Sequence, residues 1–220
     1  MNNMTDLVYI LKELLGGLLV SVEIFFLTLL FALPLGLLVA FGRMSKNIVI
    51  RTFFQVYISI MRGTPLMLQL LVCFFGPYYI FGIQISGSYR FIAVIMAFSL
   101  NYAAYFAEIY RAGIQSIPVG QYEAAQVLGY TPFQTFGRII LPQVIKRIVP
   151  PVTNEVITLV KDTSLAFSLS VLEMFTIAKQ IASAQTTMVP LIVAGVFYYC
   201  FNFLVASFMG YVEKRLNYYR

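Results

Sequence analysis

The amino-acid sequence predicts an all-α membrane protein with five transmembrane helices in one domain, residues 1–220. Composition is the first indication: 60% of the residues are hydrophobic and 11% are charged, whereas soluble domains carry roughly 25% charged residues. The second is that the apolar residues form runs long enough to cross a membrane, which takes about 20 helical residues. The third is that basic residues concentrate in alternate connections between these runs.

Several classes of function are excluded by composition. The chain has no histidine, which removes histidine metal sites and Ser-His catalysis. Cys73 and Cys200 lie in apolar runs, so we expect neither a disulfide nor a metal site. The net charge of +6 serves orientation in a membrane protein rather than nucleic-acid binding. The absence of histidine therefore counts against an intramembrane enzyme.

The first three spans are the most apolar part of the chain. Span 1, residues 14–42, holds one charge, Glu23, and is too long for a cleaved signal peptide. Span 2, residues 52–81, contains Arg62 and is expected to have an irregular outer end around Gly76-Pro77 and Gly82. Span 3, residues 90–111, is apolar as far as Glu108.

The last two spans differ in polarity. Span 4, residues 143–172, contains Pro150-Pro151, Glu155 and Lys161-Asp162. The two prolines suggest an irregular segment that lines a cavity. Span 5, residues 188–212, has no charged residue.

Basic residues fix the predicted orientation. One side of the membrane holds ten of them: Arg43, Lys46, Arg51, Arg111, Arg138, Lys146, Arg147, Lys214, Arg215 and Arg220. The other side holds three, Lys12, Arg90 and Lys179. Because the basic side faces the cytoplasm, the N-terminus is expected outside and the C-terminus inside.

A polar segment, residues 112–142, lies on this cytoplasmic side. It contains the helix-favouring run Glu123-Ala124-Ala125-Gln126-Val127-Leu128, after which Gly129 can end a helix at positive φ. Thr131-Pro132 offers an N-cap followed by proline at the first helical position. A helix–turn–helix here is either a docking element for another protein or a simple connection.

The spacing of this segment resembles the loop motif of ATP-binding-cassette importer permeases. The motif is Glu123-Ala124-Ala125, three residues, Gly129, nine residues, Ile139, one residue, Leu141-Pro142. Three further stretches resemble the polar amino acid branch (arginine, glutamine and histidine type), together with Gly120-Gln121: residues 62–66, 107–114 and 161–165.

The resemblance implies a type I importer permease fold in a bacterial cytoplasmic (inner) membrane. It implies a second permease subunit, expected to be an identical copy, an extracytoplasmic solute-binding protein, and a cytoplasmic ATPase that holds ATP and Mg. The sequence agrees in having no P-loop motif of its own. Coupling to the ATPase would fall to Glu123, Ala124, Ala125, Leu128 and Gly129.

Charged residues at membrane depth are the candidate substrate ligands, because they are costly unless they serve a function. Glu155, Thr158 and Asp162 share one helix face. Two carboxylates there would suit a basic side chain, and Lys161 could bind an α-carboxylate. The alternative is a structural role, in which Glu155 pairs with Arg62 or Lys161, and Lys161-Asp162 forms a salt-bridged boundary.

Two further polar residues are candidates for the same site. Arg62 precedes Gly63-Thr64-Pro65, which predicts a helix break, and it is either a carboxylate clamp or a structural tie. Asn101, in the middle of span 3, either lines the pathway or makes an interhelical hydrogen bond.

The sequence thus predicts a permease subunit for ATP-driven import of polar amino acids, with a preference for basic ones. The alternative is a secondary transporter or channel driven by an ion gradient, in which Glu155 and Asp162 carry ions or protons. Such a protein would not need the polar segment.

Overall fold

A computed structural model describes residues 3–216, so Arg220, which is predicted to be cytoplasmic, lies outside the described residues. The described chain is helical throughout, without a strand. In chain order its elements are α1 Asn3–Arg43, α2 Ile48–Gly63, α3 Leu66–Phe81, α4 Tyr89–Gln115, α5 Val119–Val127, α6 Pro132–Gln134, a π-helix Thr135–Ile140, α7 Leu141–Asp162, a 3₁₀-helix Thr163–Leu169, α8 Met174–Gln185 and α9 Val189–Leu216.

Helix α4 forms the centre of the bundle and packs along α1. Its buried side includes Phe98 and Phe106, both fully buried, and a series of alanines, Ala93, Ala97, Ala103, Ala104 and Ala107. Small residues let neighbouring helices approach closely in membranes. Phe98 and Phe106 share one buried cluster with Ile24 of α1 and Leu159 of α7, so α4 holds the other helices in place.

The described chain offers three candidate spans, or up to five if each bent helix pair is counted as one span. By length and composition, α1, α4 and α9 can each cross a membrane. Helices α2 and α3 pass the same test together with a bend of 112°, and so do residues 132–169 with α8, with a bend of 57°.

The break in span 2 lies at its middle. Helix α2 ends at Gly63 and α3 begins at Leu66, as the Gly63-Thr64-Pro65 sequence predicts. The irregularity expected around Gly76-Pro77 is wrong, because α3 continues through Pro77 to Phe81. Gly82 does end that helix, in the left-handed conformation at φ +68°.

The irregular segment expected at Pro150-Pro151 is also wrong. Both prolines lie inside α7, which runs without a break from Leu141 to Asp162. Proline removes one N–H donor, but its φ near −65° is helical. Neighbouring helices can therefore keep such a helix intact in a membrane. Span 4 instead changes character after Asp162, where the chain tightens into the 3₁₀-helix.

Candidate functional site

The broken second span is held by amide side chains from two helices. Asn101 is buried and its Nδ2 donates to Met61 O and to Gln69 Oε1, both at 3.0 Å. Gln69 Nε2 donates in turn to Met61 O, Thr64 O and Thr64 Oγ1, at 2.8–3.1 Å. These bonds satisfy carbonyls that the break frees, since a helix end leaves its last C=O groups unpaired. Asn101 thus makes the interhelical hydrogen bonds that were one of its two predicted roles.

Arg62 stands at this break, on the last turn of α2. Its guanidinium lies over the Tyr105 ring of α4, 5.1 Å from the ring centre, a distance typical of a cation–π contact. Residues 3–216 contain two ion pairs, and both involve Glu108. Arg62 belongs to neither. Its charge is thus held in position by an aromatic face and is open to an anionic group.

Arg62 and Glu155 line the same cavity. This cavity has a volume of about 500 Å³, within the range of small-molecule sites, about 300–1,000 Å³. Its wall is formed by residues of α2, α4 and α7, together with Ser116 at the end of α4: Arg62, Tyr105, Glu108, Ile109, Ala112, Gly113, Ser116, Arg147, Pro151 and Glu155. The cavity therefore reaches from the centre of span 4 to the edge of the polar segment.

Glu108, on the same wall, has its charge compensated by arginines. Its carboxylate accepts from Arg111 Nη2 at 2.6 Å and lies 4.0 Å from Arg43 Nε of α1. Arg111 Nη1 also donates to Gln115 Oε1 at 2.6 Å. The pair Glu108–Arg111 is the helix-surface pair that their spacing of three predicts.

The remaining predicted ligands lie away from this cavity. Asp162 Oδ2 accepts from the hydroxyl of Tyr102 at 2.7 Å, which ties α7 to α4. Thr158 and Lys161 are exposed on α7, and Thr158 Oγ1 donates to Asn154 O of its own helix. The structure therefore does not place Glu155 and Asp162 on one cavity wall.

The polar segment adopts the predicted helix–turn–helix. At the end of α5, Gly129 has φ +79°. Its N–H donates to Gln126 O and that of Tyr130 to Ala125 O, both at 3.0 Å, which is the Schellman pattern of a helix C-terminus. Thr131 and Gln134 form a capping box at the start of α6.

The predicted coupling residues divide into two groups. Glu123, Ala124, Leu128 and Gly129 are exposed. Ala125 is instead 1% exposed and faces this chain, where α5 packs on the π-helix. Large apolar side chains that the sequence analysis did not single out surround the exposed group: Val119, Val127 and Phe133 are 69%, 88% and 87% exposed.

One buried carboxylate was missed by the sequence analysis. Glu173 is fully buried and caps α8, accepting from the N–H groups of Phe175 at 2.7 Å and Thr176 at 2.6 Å. The hydroxyls of Tyr198 on α9 and Thr176 also donate to it, at 3.0 and 2.7 Å. The available signal was an acidic residue placed directly before a helix. Among the described residues, no cluster of three Cys, Asp or Glu side chains suits a metal ion.

Known proteins similar to this chain are membrane permeases of transport systems. Residues 32–218 match the family described as binding-protein-dependent transport system inner membrane component. The chain is 38% identical over 206 residues to the L-cystine transport system permease protein TcyB of Bacillus subtilis, covering 93% of this chain and 86% of that one. It is 35% identical over 212 residues to the nopaline transport system permease protein NocM of Agrobacterium fabrum, with 93% and 88% covered.

A solved structure shares the architecture over the whole length. The crystal structure of an amino acid ABC transporter with histidines superposes with a TM-score of 0.87 at 30% identity, covering 98% of this chain and 99% of that one.

Proposed function

The chain belongs to the family of binding-protein-dependent transport system inner membrane components, in the amino acid permease branch of ATP-binding-cassette importers, and we propose that it moves a polar amino acid inward by alternating access. It is a multi-pass membrane protein. We place it in the bacterial inner membrane with its N-terminus outside and its C-terminus inside, as the distribution of basic residues favours.

The observation that carries the proposal is the pair of opposite charges on one cavity. Arg62 and Glu155 line the same 500 Å³ space, and neither forms an ion pair within residues 3–216. An amino acid presents an α-carboxylate and an α-ammonium. Arg62 is suited to the first, because a guanidinium binds a carboxylate through two parallel bonds, and Glu155 to the second.

The residues that bind the α-carboxylate and the α-ammonium do not by themselves select the side chain of the transported amino acid. With Asp162 bonded to Tyr102 and Lys161 exposed away from the cavity wall, the preference for a basic side chain has only Glu155 in its favour. If Glu155 holds the α-ammonium, the site accepts polar amino acids with either neutral or basic side chains.

A second copy of the chain completes the pathway in this proposal. Asn154, Thr158 and Lys161 are exposed along α7, and polar groups at membrane depth normally face protein or a water-filled cavity. A homodimer would cover this face. A solute-binding protein on the outer side would deliver the amino acid.

The polar segment would be the element through which ATP hydrolysis in the ATPase drives movement of the permease. Leu128 and Val127 end α5 with most of their surface exposed, and Phe133 stands at the start of α6. An apolar patch of this kind on the cytoplasmic side suits a groove on an ATPase, which would bind ATP and Mg. Closure of the two ATPases would draw the polar segments together and open the cavity outward, and hydrolysis would reverse this.

The test is uptake into proteoliposomes that contain the permease, its ATPase and its binding protein, with radiolabelled arginine, histidine and glutamine as substrates. Glu155→Gln should weaken uptake about 10- to 100-fold, since a hydrogen bond to a charged group is worth roughly 1.5–3 kcal/mol. Glu23→Gln is the control, because Glu23 is exposed on α1 and is not on the cavity wall. Undiminished uptake by Glu155→Gln would refute the site.

The same vesicles test the alternative of an ion-gradient transporter. The importer requires ATP and the ATPase subunit, and should show no uptake without them. Uptake by the permease alone, driven by a proton or sodium gradient, would refute the ATP-driven function.

A further inference from the structure

One face of α7 connects the polar segment to the cavity. Gln143, Arg147, Pro151 and Glu155 follow one another at intervals of four residues within this continuous helix, and residues at that spacing lie on one side of a helix. The last three line the cavity. The first lies one turn closer to the polar segment.

The first two residues of this face bond to the two ends of the connection that leads into α5. Gln143 Nε2 donates to Gln121 Oε1, in the first turn of α5, at 2.7 Å, and to Ile139 O at 2.8 Å. Arg147 Nη1 donates to the carbonyl of Ser116, the residue that ends α4. The start of α5 is therefore fastened from both sides to α7.

The base of α7 has little freedom to move separately from α5. The π-helix Thr135–Ile140 leads directly into α7 and packs against α5. Ile140 and Val144 are buried with Ile117, which precedes α5. A force on α5 therefore reaches α7 through packed side chains as well as through the two hydrogen-bonded contacts.

We propose that Gln143 and Arg147 are positioning residues that transmit movement of α5 along α7 to Glu155. The inference rests on the proposed function, since it takes α5 to be the element that the ATPase moves. Gln143 couples the two helices directly, and Arg147 couples the cavity wall to the end of α4.

The test is a double-mutant cycle on the Gln121–Gln143 contact, in the complete complex with ATPase and binding protein. Gln121→Leu, Gln143→Leu and the double variant are compared by amino acid taken up per ATP hydrolysed, with the arginine, histidine and glutamine probes. Each single variant should lower this ratio at least about fivefold, the lower end of typical couplings between sites. The double variant should lose no more than either single one, because both changes break the same contact.

A charged pair tests whether the contact itself matters. Gln121→Lys alone should lower the ratio, because it places a second donor against Gln143 Nε2. Gln121→Lys together with Gln143→Glu should restore the ratio toward wild type, because the two side chains can then form an ion pair. Gln55→Leu is the matched control, since Gln55 is exposed on α2 and its side chain makes no hydrogen bond within the described chain. Co-purification of the ATPase should be unchanged in all variants.

Failure of this inference and failure of the proposed function give different results. Additive losses in the double variant, or an unchanged ratio in Gln143→Leu, would overturn the transmission role while wild-type uptake remains ATP-driven. Loss of ATPase co-purification would show that these residues serve assembly, which also overturns it. A wild-type complex without ATP-driven uptake would instead refute the proposed function.

Discussion

At Gly129, the addition of one methyl group should weaken docking of the ATPase without preventing the permease from folding. Its φ of +79° lies in the left-handed region, which costs an ordinary residue roughly 1–2 kcal/mol. A Cβ at this position would meet nothing within 4 Å. Gly129→Ala should therefore destabilise only the turn between α5 and α6, through its backbone conformation and not through a steric clash.

The expected loss follows from that penalty. A shift of 1–2 kcal/mol lowers the ratio of the native turn to its alternative conformations by a factor of about 5–30. It also weakens the two hydrogen bonds that depend on the turn, from the N–H groups of Gly129 and Tyr130. ATP-driven uptake at limiting ATPase should fall by up to this factor, while the amount of permease in the membrane stays at the wild-type level. Gly129→Asn should lose less than Gly129→Ala, because asparagine enters the left-handed region more readily.

The assay compares uptake, ATPase co-purification and membrane content of the variants in the same proteoliposomes. Gly137→Ala is the matched control within the polar segment: it is exposed, its Cβ would also meet nothing within 4 Å, and its φ is not positive. Wild-type uptake by Gly129→Ala, or an equal loss in Gly137→Ala, would show that the left-handed turn is not what the ATPase requires.

Two further predictions concern the packing of α8 against α1 and α9. Glu173→Ala leaves two backbone N–H groups and the hydroxyl of Tyr198 without their acceptor, and should lower stability by roughly 2–4 kcal/mol; an unchanged thermal midpoint in detergent would contradict this. Gly17→Ala places a Cβ 2.7 Å from Met174 Cα, so α1 and α8 must separate, at about 1–3 kcal/mol. The neighbouring Gly16→Ala, which meets nothing within 4 Å, should leave the thermal midpoint of the protein unchanged or higher.

Local patterns in the sequence were enough to predict the turns and helix ends of the polar segment. Positive φ at Gly129 and the cap at Thr131 depend on a few neighbouring residues, since glycine alone has no steric penalty there. The break at Gly63-Thr64-Pro65 has the same local origin. At Pro77 and Pro150-Pro151 the local preference misled, because the surrounding bundle keeps those helices continuous.

The partners of the charged residues at membrane depth could not be predicted from local sequence patterns. Helical spacing puts Glu155 and Asp162 on one face, yet seven residues span about 10 Å along a helix axis. Both residues lie beside α4, but over that distance the side chains that they meet change. Asp162 meets Tyr102, and Glu155 shares its cavity with Arg62, which is 93 residues away in the chain.

The sequence by itself thus determined the class of the protein and the polar segment that marks its family, because hydrophobicity and capping act over short stretches of chain. The tertiary structure alone decided which charges face each other, that Ala125 is buried, that Glu173 joins α8 to α9, and that Gln143 reaches Gln121. Those outcomes depend on how helices distant in sequence pack, and short-range patterns carry no information about that packing.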